Sequence, residues 1–486
     1  MLESPAKEIF PKSVAWIFRR HDCLCMSTSG WKRKAVCQRH PQSGGCAKHL
    51  MTASRESDEI EPSRAQSAGT RIWLVTPSLP ALVSSLRRRG KSAASWLLVR
   101  LSRETSSGRF IPEMDGLRFV AIAMVVLFHI NGYLMAKSPR YHAAPPQSDW
   151  FAHAALVGFR GVELFFVISG FILGLPFAAH YVQGARRVSL RKYYLRRLTR
   201  LEPPYFAALL LVFALAIWVQ GKSAAGLLPH LWASLFYIHD LVFGTFSPVM
   251  SVAWSLEIEV QFYLLVPLLT LLFAIRSLTL RRLSTCALIL IVLSAQSLFL
   301  HDSRRASLSI LANLQYFLTG FLLADIFLVN WNETPARDRV WDWVALFGWP
   351  LLFVILQSQL LTHWLFPAWI LLLYCSAFRG NLTNRLFSNR WITAIGGMCY
   401  SIYLLHYEVV SAVGRVFRRV GEAAPYWLYL MLQFVLVGGA IVAVCALFFV
   451  AIEKPCMQKD WPQRLWGYSQ RRLFARWRVA DTSAAD

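Results

Sequence analysis

Apolar runs of the length that crosses a bilayer, roughly 17–25 residues as a helix, recur from about residue 117 to residue 451. Short polar or basic stretches separate them. The pattern predicts ten spans, at about 117–135, 153–175, 204–219, 254–275, 285–300, 307–329, 341–357, 363–378, 395–413 and 427–451. Backbone polar groups in lipid must be satisfied within the segment, so such runs read as helices. The predicted fold class is all-α: a polytopic transmembrane helical bundle. One more apolar stretch, about 228–243, is short and carries His230, His239 and Asp240. It reads as a re-entrant or interfacial segment facing a cavity or protein, where irregular backbone at membrane depth is tolerated.

Basic residues set the orientation. Arg186, Arg187, Arg191, Lys192, Arg196, Arg197 and Arg200 form the densest internal basic cluster, after the second span. Lys and Arg concentrate in cytoplasmic loops. That rule puts Arg276, Arg281, Arg282, Arg337, Arg339, Arg379, Arg385 and Arg390 inside with both termini. Arg304, Arg305 and the group Arg415, Arg418 and Arg419 then fall outside, against the rule. Counting 228–243 as a span would instead put most basic loops outside.

Composition agrees with the pattern. With 56% hydrophobic and 16% charged residues, the chain lacks the polar surface that a soluble protein of 486 residues needs. The net charge of +24 resides in loops and tails, with no recognition module in view, so the lipid bilayer and not nucleic acid is the expected partner. The expected location is a cell membrane.

Residues 1–108 differ in character: rich in Arg, Lys, Ser and Cys, without a spanning run or a signal-peptide core. They read either as a basic disordered tail or as the product of a start codon placed too far upstream, Met26 and Met51 being in frame. The stretch Leu79–Leu101, with Arg87, Arg88 and Arg89 among apolar residues, has the makings of a segment lying on an anionic membrane surface. Residues 109–456 form the membrane domain, and 457–486 a basic cytoplasmic tail. Cys23, Cys25, Cys37 and Cys46 lie near His40 and His49 but lack the paired spacing of a zinc knuckle. Cys286, Cys375, Cys399, Cys445 and Cys456 are scattered singly and read as packing residues. No metal and no resident cofactor are expected.

Several intramembrane polar groups stand out. Arg118 and His129 are eleven positions apart in the first span. At 100° per residue they share one helix face, ~16 Å apart. With Arg118 at the inner interface, His129 sits near the middle of a ~30 Å hydrocarbon layer, where ionisable groups usually face a cavity. The second span contains Phe165-Phe166-Val-Ile-Ser169-Gly170-Phe171, whose small residues favour close helix contact, and Glu163, for which Arg160 is the natural partner. Arg197 and Arg200 are three apart, so in a helical segment they project together and suit phosphate oxygens. In Trp254-Ser255-Leu-Glu257-Ile-Glu259-Val-Gln-Phe262-Tyr263, Ser255, Glu259 and Tyr263 share one helical face. Glu257 lies about 200° from Glu259, so Glu259 is the better active-site candidate. Tyr400-Ser401-Ile-Tyr403-Leu-Leu-His406 adds a second intramembrane imidazole, and Glu453-Lys454-Pro455 ends the last span. His406 reads more readily as a packing residue than as a catalyst.

In this order the motifs resemble acyltransferase family 3 of integral membrane proteins, which includes O-antigen and exopolysaccharide O-acetylases. The resemblance covers about residues 111–456. It rests on the Arg118/His129 pair, the segment Phe165 to Phe171, the Arg-x-x-Arg of Arg197 and Arg200, the segment Trp254 to Tyr263 with Glu259 at the family's Glu, residues 400–406, and Glu453-Lys-Pro455. Glu163 stands where the family usually has Asp. The soluble esterase-like domain fused to some members is expected to be absent.

The resemblance implies O-acyl transfer, often of acetyl from acyl-coenzyme A, to a hydroxyl of a cell-surface glycan or related acceptor. Acyl-CoA is then donor substrate. Arg197 and Arg200 would dock its phosphates, His129 would be general base, and Arg118 and Glu259 would complete the catalytic group. Ser255, Tyr263, Ser169, Tyr403 and His406 would support it. Two other classes compete. A transporter or flippase of an acylated or lipid-linked glycan would use the intramembrane His and Glu as proton-relay groups, though no broken-helix pair or inverted repeat is evident. A membrane scaffold leaves the aligned Arg118 and His129 without a purpose.

Overall fold

The computed structural model describes residues 95–104, 110–143, 149–300, 303–458, 461 and 463. The N-terminal cysteine group and most of both tails lie outside the described residues.

The long helices start and stop where polar residues interrupt the apolar runs. A short helix at 95–101 (α1) precedes α2, Pro112–Lys137, which opens with Pro at its first position and acidic residues in its first turn. α3 is Gly161–Gln183, ended by left-handed Gly184. α4 is Leu190–Trp218, α5 Ala224–Leu235 and α6 His239–Phe243. Then come α7, Trp254–Leu269; α8, Leu278–Ala295; α9, Leu314–Val329; and α10, Val340–Ile355. α11 is Gln359–Arg379, α12 Arg390–Gly397, α13 Cys399–Phe417 and α14 Tyr426–Phe448. Among the described residues there is no strand.

Among the described residues, seven helical stretches are long and apolar enough to cross a membrane: those containing α2, α3, α4, α7, α8, α11 and α14. The other three expected spans are also helices. α9 and α10 have 16 residues each, about 24 Å at 1.5 Å per residue. α13, with 19 residues, is more polar. The stretch about 228–243 is not one helix. It divides into α5, with 12 residues, and α6, with five, joined through Tyr237 at positive φ. At about 18 Å and 8 Å, neither crosses a ~30 Å layer.

The basic cluster preceding the third span belongs to the same helix as the span. α4 runs unbroken from Leu190, so Arg197 and Arg200 stand on it one turn before Pro203 and Pro204.

The centre of the bundle is the crossing of α3 and α9. A Cβ on Gly170 would strike the Phe317 carbonyl, and one on Gly320 would strike that of Val167, so only glycine lets these backbones approach. Phe317 stacks on Phe166 of α3 and on Phe262 of α7, with centroids 4.8 and 3.9 Å apart, which joins α9 to two motif-bearing helices through one ring. Buried charges are paired: Asp325 of α9 accepts from Arg281 Nε at 2.6 Å and Arg282 Nε at 2.7 Å. Arg160 bonds Glu163 at 2.7 Å.

Both ends of the described chain meet. Lys454, after the last span, donates to the carbonyls of Val99 and Arg100 in α1, both at 2.9 Å. The neighbouring Glu453 accepts the Ser401 N–H at 3.0 Å and the Ser401 hydroxyl, fastening the last span to α13.

Candidate functional site

Helix α2 carries a charged group at one end and an imidazole three turns further on. Arg118 is ion-paired to Asp115, one turn before it, and Arg103, just past α1, reaches the same Asp115 oxygen at 3.0 Å. Arg200 has Arg103, Arg197, Arg118 and Glu453 as charge neighbours. Four guanidinium groups from three segments thus converge at one end of the bundle. The Arg197 head lies 5.9 Å from the Tyr193 ring centre and 5.8 Å from that of Tyr263, within cation–π range. Its Nε is buried with no hydrogen-bond partner among the described residues.

From Arg197 a cavity of about 420 Å³ runs along α4 and α7, within the range of small-molecule sites. Its walls are mainly leucine and tyrosine, among them Leu256, Tyr237 and Tyr400. Glu259 and Tyr263 supply polar groups. Glu259 accepts the Ser169 hydroxyl at 2.8 Å, so the Ser-Gly step of α3 serves both the helix crossing and the cavity wall. Arg118 counts Glu259 among its charge neighbours, which links the arginine end to the cavity.

The imidazole end is built from α2 and α13. His129 and His406 stand with ring centres 5.0 Å apart, and Tyr407 is 5.3 Å from His129. His406 is fully buried. Its Nδ1 faces the carbonyl oxygens of Ile402 at 3.0 Å and Tyr403 at 2.8 Å. Carbonyls only accept, so Nδ1 carries the hydrogen and Nε2 presents a lone pair. That Nε2 is buried and has no donor among the described residues. His129 is half-buried and makes no hydrogen bond to another described residue. One turn along α13, the Tyr403 hydroxyl bonds Ser255 at 2.6 Å and the Val252 carbonyl at 2.9 Å.

The ten predicted site residues therefore fall into linked subsets. Arg118 and Arg200 lie in the arginine cluster, Arg197 joins it to the cavity, and Glu259, Tyr263 and Ser169 stand at the cavity. Ser255 and Tyr403 form a buried pair, and His129 meets His406. Sequence reasoning did not single out Arg103 or Asp115. Asp115 was detectable as an i, i+3 partner of Arg118. Arg103 was hidden by its position in a stretch whose composition reads as tail.

Glu257 faces away from this site. It is fully buried and accepts the N–H groups of His239 at 3.1 Å and Asp240 at 2.9 Å, so it caps α6. His239 in turn bonds His230 at 2.8 Å and approaches Asp240 at 3.5 Å. Donor atoms of His239, Asp240 and Glu257 lie within 4.8 Å of one another, a grouping with metal-ligand chemistry. Glu257 and His239 are also engaged in the cap and the histidine chain, while Asp240 Oδ2 is buried without a hydrogen-bond partner among the described residues.

Comparison with known proteins adds to this geometry. The sequence model of a family described as an acyltransferase domain matches residues 111–450, well over half of the chain. The chain belongs to that family, acyltransferase family 3. The matched region takes in α2 through α14 and every predicted site residue. Among curated relatives, the Staphylococcus aureus (strain COL) protein named "Putative O-acetyltransferase SACOL0978" is 26% identical over 355 residues, covering 66% of this chain and 54% of the relative. O-acetyltransferase OatA of Staphylococcus aureus (strain NCTC 8325 / PS 47) is 23% identical over 352 residues, 67% of this chain and 54% of its own. The chain thus spans about half the length of the curated relatives it matches. No solved structure matches.

Proposed function

We propose that this family member is a membrane-embedded O-acyltransferase that moves an acyl group, acetyl in the simplest case, from acyl-coenzyme A to a hydroxyl of a cell-surface carbohydrate. Its place is the bacterial inner membrane, with both termini and the arginine end cytoplasmic. The observation that carries this reading is the course of α2, which joins the arginine cluster to a bundle-interior imidazole that has no hydrogen bond to another described residue. Eleven residues separate Arg118 from His129, ~16 Å of helix, a span for the donor's flexible arm between its phosphates and its thioester. The names of the O-acetyltransferase relatives point the same way.

In this reading the arginines hold the donor phosphates as charge-assisted, forked contacts. A lone pair of His129 takes the proton of the acceptor hydroxyl as its oxygen attacks the thioester carbonyl. The carbon–sulfur bond breaks, and the proton passes to the departing thiolate. General-base transfer of this kind contributes about 10²–10⁴-fold. Glu259, fixed by Ser169, orients the group entering along the cavity.

The test uses purified full chain in lipid with acetyl-labelled acetyl-CoA and a cell-envelope glycan extract, wild type beside His129→Ala. Label on glycan with wild type alone is the expected outcome. Full transfer by the variant would remove the base assignment. Intact acetyl-CoA under all acceptors would favour a carrier of acylated glycan.

A further inference from the structure

The arginine cluster includes a member from outside the matched acyltransferase region. Residues 95–104 precede that region, which begins at residue 111, and are held in place by Lys454 through two backbone carbonyls. Arg103 follows α1 and turns inward. Its Nη1 bonds Asp115, its side chain is only 12% exposed, and its Nε is buried with no acceptor among the described residues.

The acceptors nearby are few and partly taken. Asp115 is shared by Arg103 and Arg118. Glu453 takes two hydrogen bonds from Ser401, and Glu259 takes the Ser169 hydroxyl. Each guanidinium offers five N–H donors and no acceptor, so four of them leave a surplus of donors, including buried Nε atoms on both Arg103 and Arg197. Like charges held together and short of acceptors are unfavourable in a low-dielectric setting. An anion carrying several oxygens answers both deficits, and the planar guanidinium fork fits phosphate.

We infer that Arg103 is a phosphate ligand of the donor site, so that the segment before the family domain completes the dock for the nucleotide end of the acyl donor. Asp115 is its positioning partner, holding Arg103 and Arg118 on one carboxylate with their remaining donors turned to the ligand. The inference rests on the acyl-CoA reading given above, and its test separates the two.

Full-length protein in lipid nanodiscs is titrated with coenzyme A and, separately, with pyrophosphate, comparing wild type, Arg103→Gln and Arg103→Lys. Loss of one charged, buried contact is expected to weaken coenzyme A binding about tenfold or more in Arg103→Gln. Arg103→Lys, which keeps the charge without the fork, should fall between. The salt dependence of binding should flatten in Arg103→Gln, a change that loosened packing alone would not produce. In transfer assays the defect should appear as a raised donor KM that parallels the loss of coenzyme A affinity. Equal coenzyme A affinity in wild type and both variants overturns the inference while leaving the donor reading intact. Arg103-dependent binding of pyrophosphate without any binding of coenzyme A keeps the phosphate site and overturns the donor reading.

Discussion

On one face of α7, Glu257 is sealed by the backbone of α6 and backed by His239, Asp240 and His230. On the opposite face, Glu259 accepts the Ser169 hydroxyl, has the Tyr263 hydroxyl as a further side-chain partner and borders a cavity of about 420 Å³. The two carboxylates are the same chemistry on the same helix, two residues apart. One is consumed in closing a helix end, where two N–H groups would otherwise be buried without acceptors. The other retains capacity for something that enters. What separates a structural acid from a candidate functional one here is saturation of its oxygens, and burial alone would have ranked them the wrong way round.

The contrast can be broken by experiment. Glu259→Gln should lower turnover about 10–10²-fold by removing a fixed charge from the cavity, with unfolding temperature near wild type; unchanged turnover would erase the distinction from the functional side. His406→Ala should lower turnover about tenfold and displace the pH–rate curve, because the Nε2 lone pair beside His129 is lost. A change in melting temperature alone would return His406 to the packing role that its sequence context implies. Glu257→Gln replaces one of the two oxygens that accept the His239 and Asp240 N–H groups with an amide nitrogen and should cost about 1–3 kcal/mol of stability, read by thermal unfolding in detergent, with transfer per folded molecule close to wild type. A collapse of transfer in well-folded Glu257→Gln protein would mean that the cap also takes part in chemistry.

The smallest effect lies outside both pockets. Glu422, in the loop between α13 and α14, accepts from the Ser138 hydroxyl and the Arg140 N–H, and these bonds hold its carboxyl below the ordinary range. A carboxylate depressed in the folded state stabilises above its unfolded pKa and loses that contribution as pH falls through the folded value. The melting temperature of wild type should therefore drop slightly more than that of Glu422→Gln between neutral and acid pH. Parallel pH profiles would show the loop contact to be without consequence for stability.

The helices and the faces they present were legible because both depend on local periodicity. Hydropathy located α2, α3, α4, α7, α8, α11 and α14 as membrane-crossing lengths, and the 100° step separated Glu257 from Glu259. That 228–243 is no full span was legible as shortness and polarity, although its division into α5 and α6 and the cap from Glu257 were not. Contacts between distant segments escaped the sequence. Nothing near His129 announces His406, which arrives on α13, and nothing near Arg118 announces Arg103. Such meetings are set by how helices cross, and the crossing is set by details such as Gly170 against Gly320. Composition is silent on one point: within a polar, basic stretch that reads as tail, nothing distinguishes Arg103, which bonds Asp115.

The clasp of Lys454 on Val99 and Arg100 has a consequence for how the molecule is made. Arg103 leaves the ribosome early, but the lysine that secures its segment is translated only after the last span. Until then α1 is held by the packing of Leu98 and Leu101 and, through Arg103, by Asp115, without that clasp. The arginine end is thus completed late: a nascent chain halted before the final helix would carry His129 and most of the cavity, yet lack the closure that brings its earliest and latest described segments together.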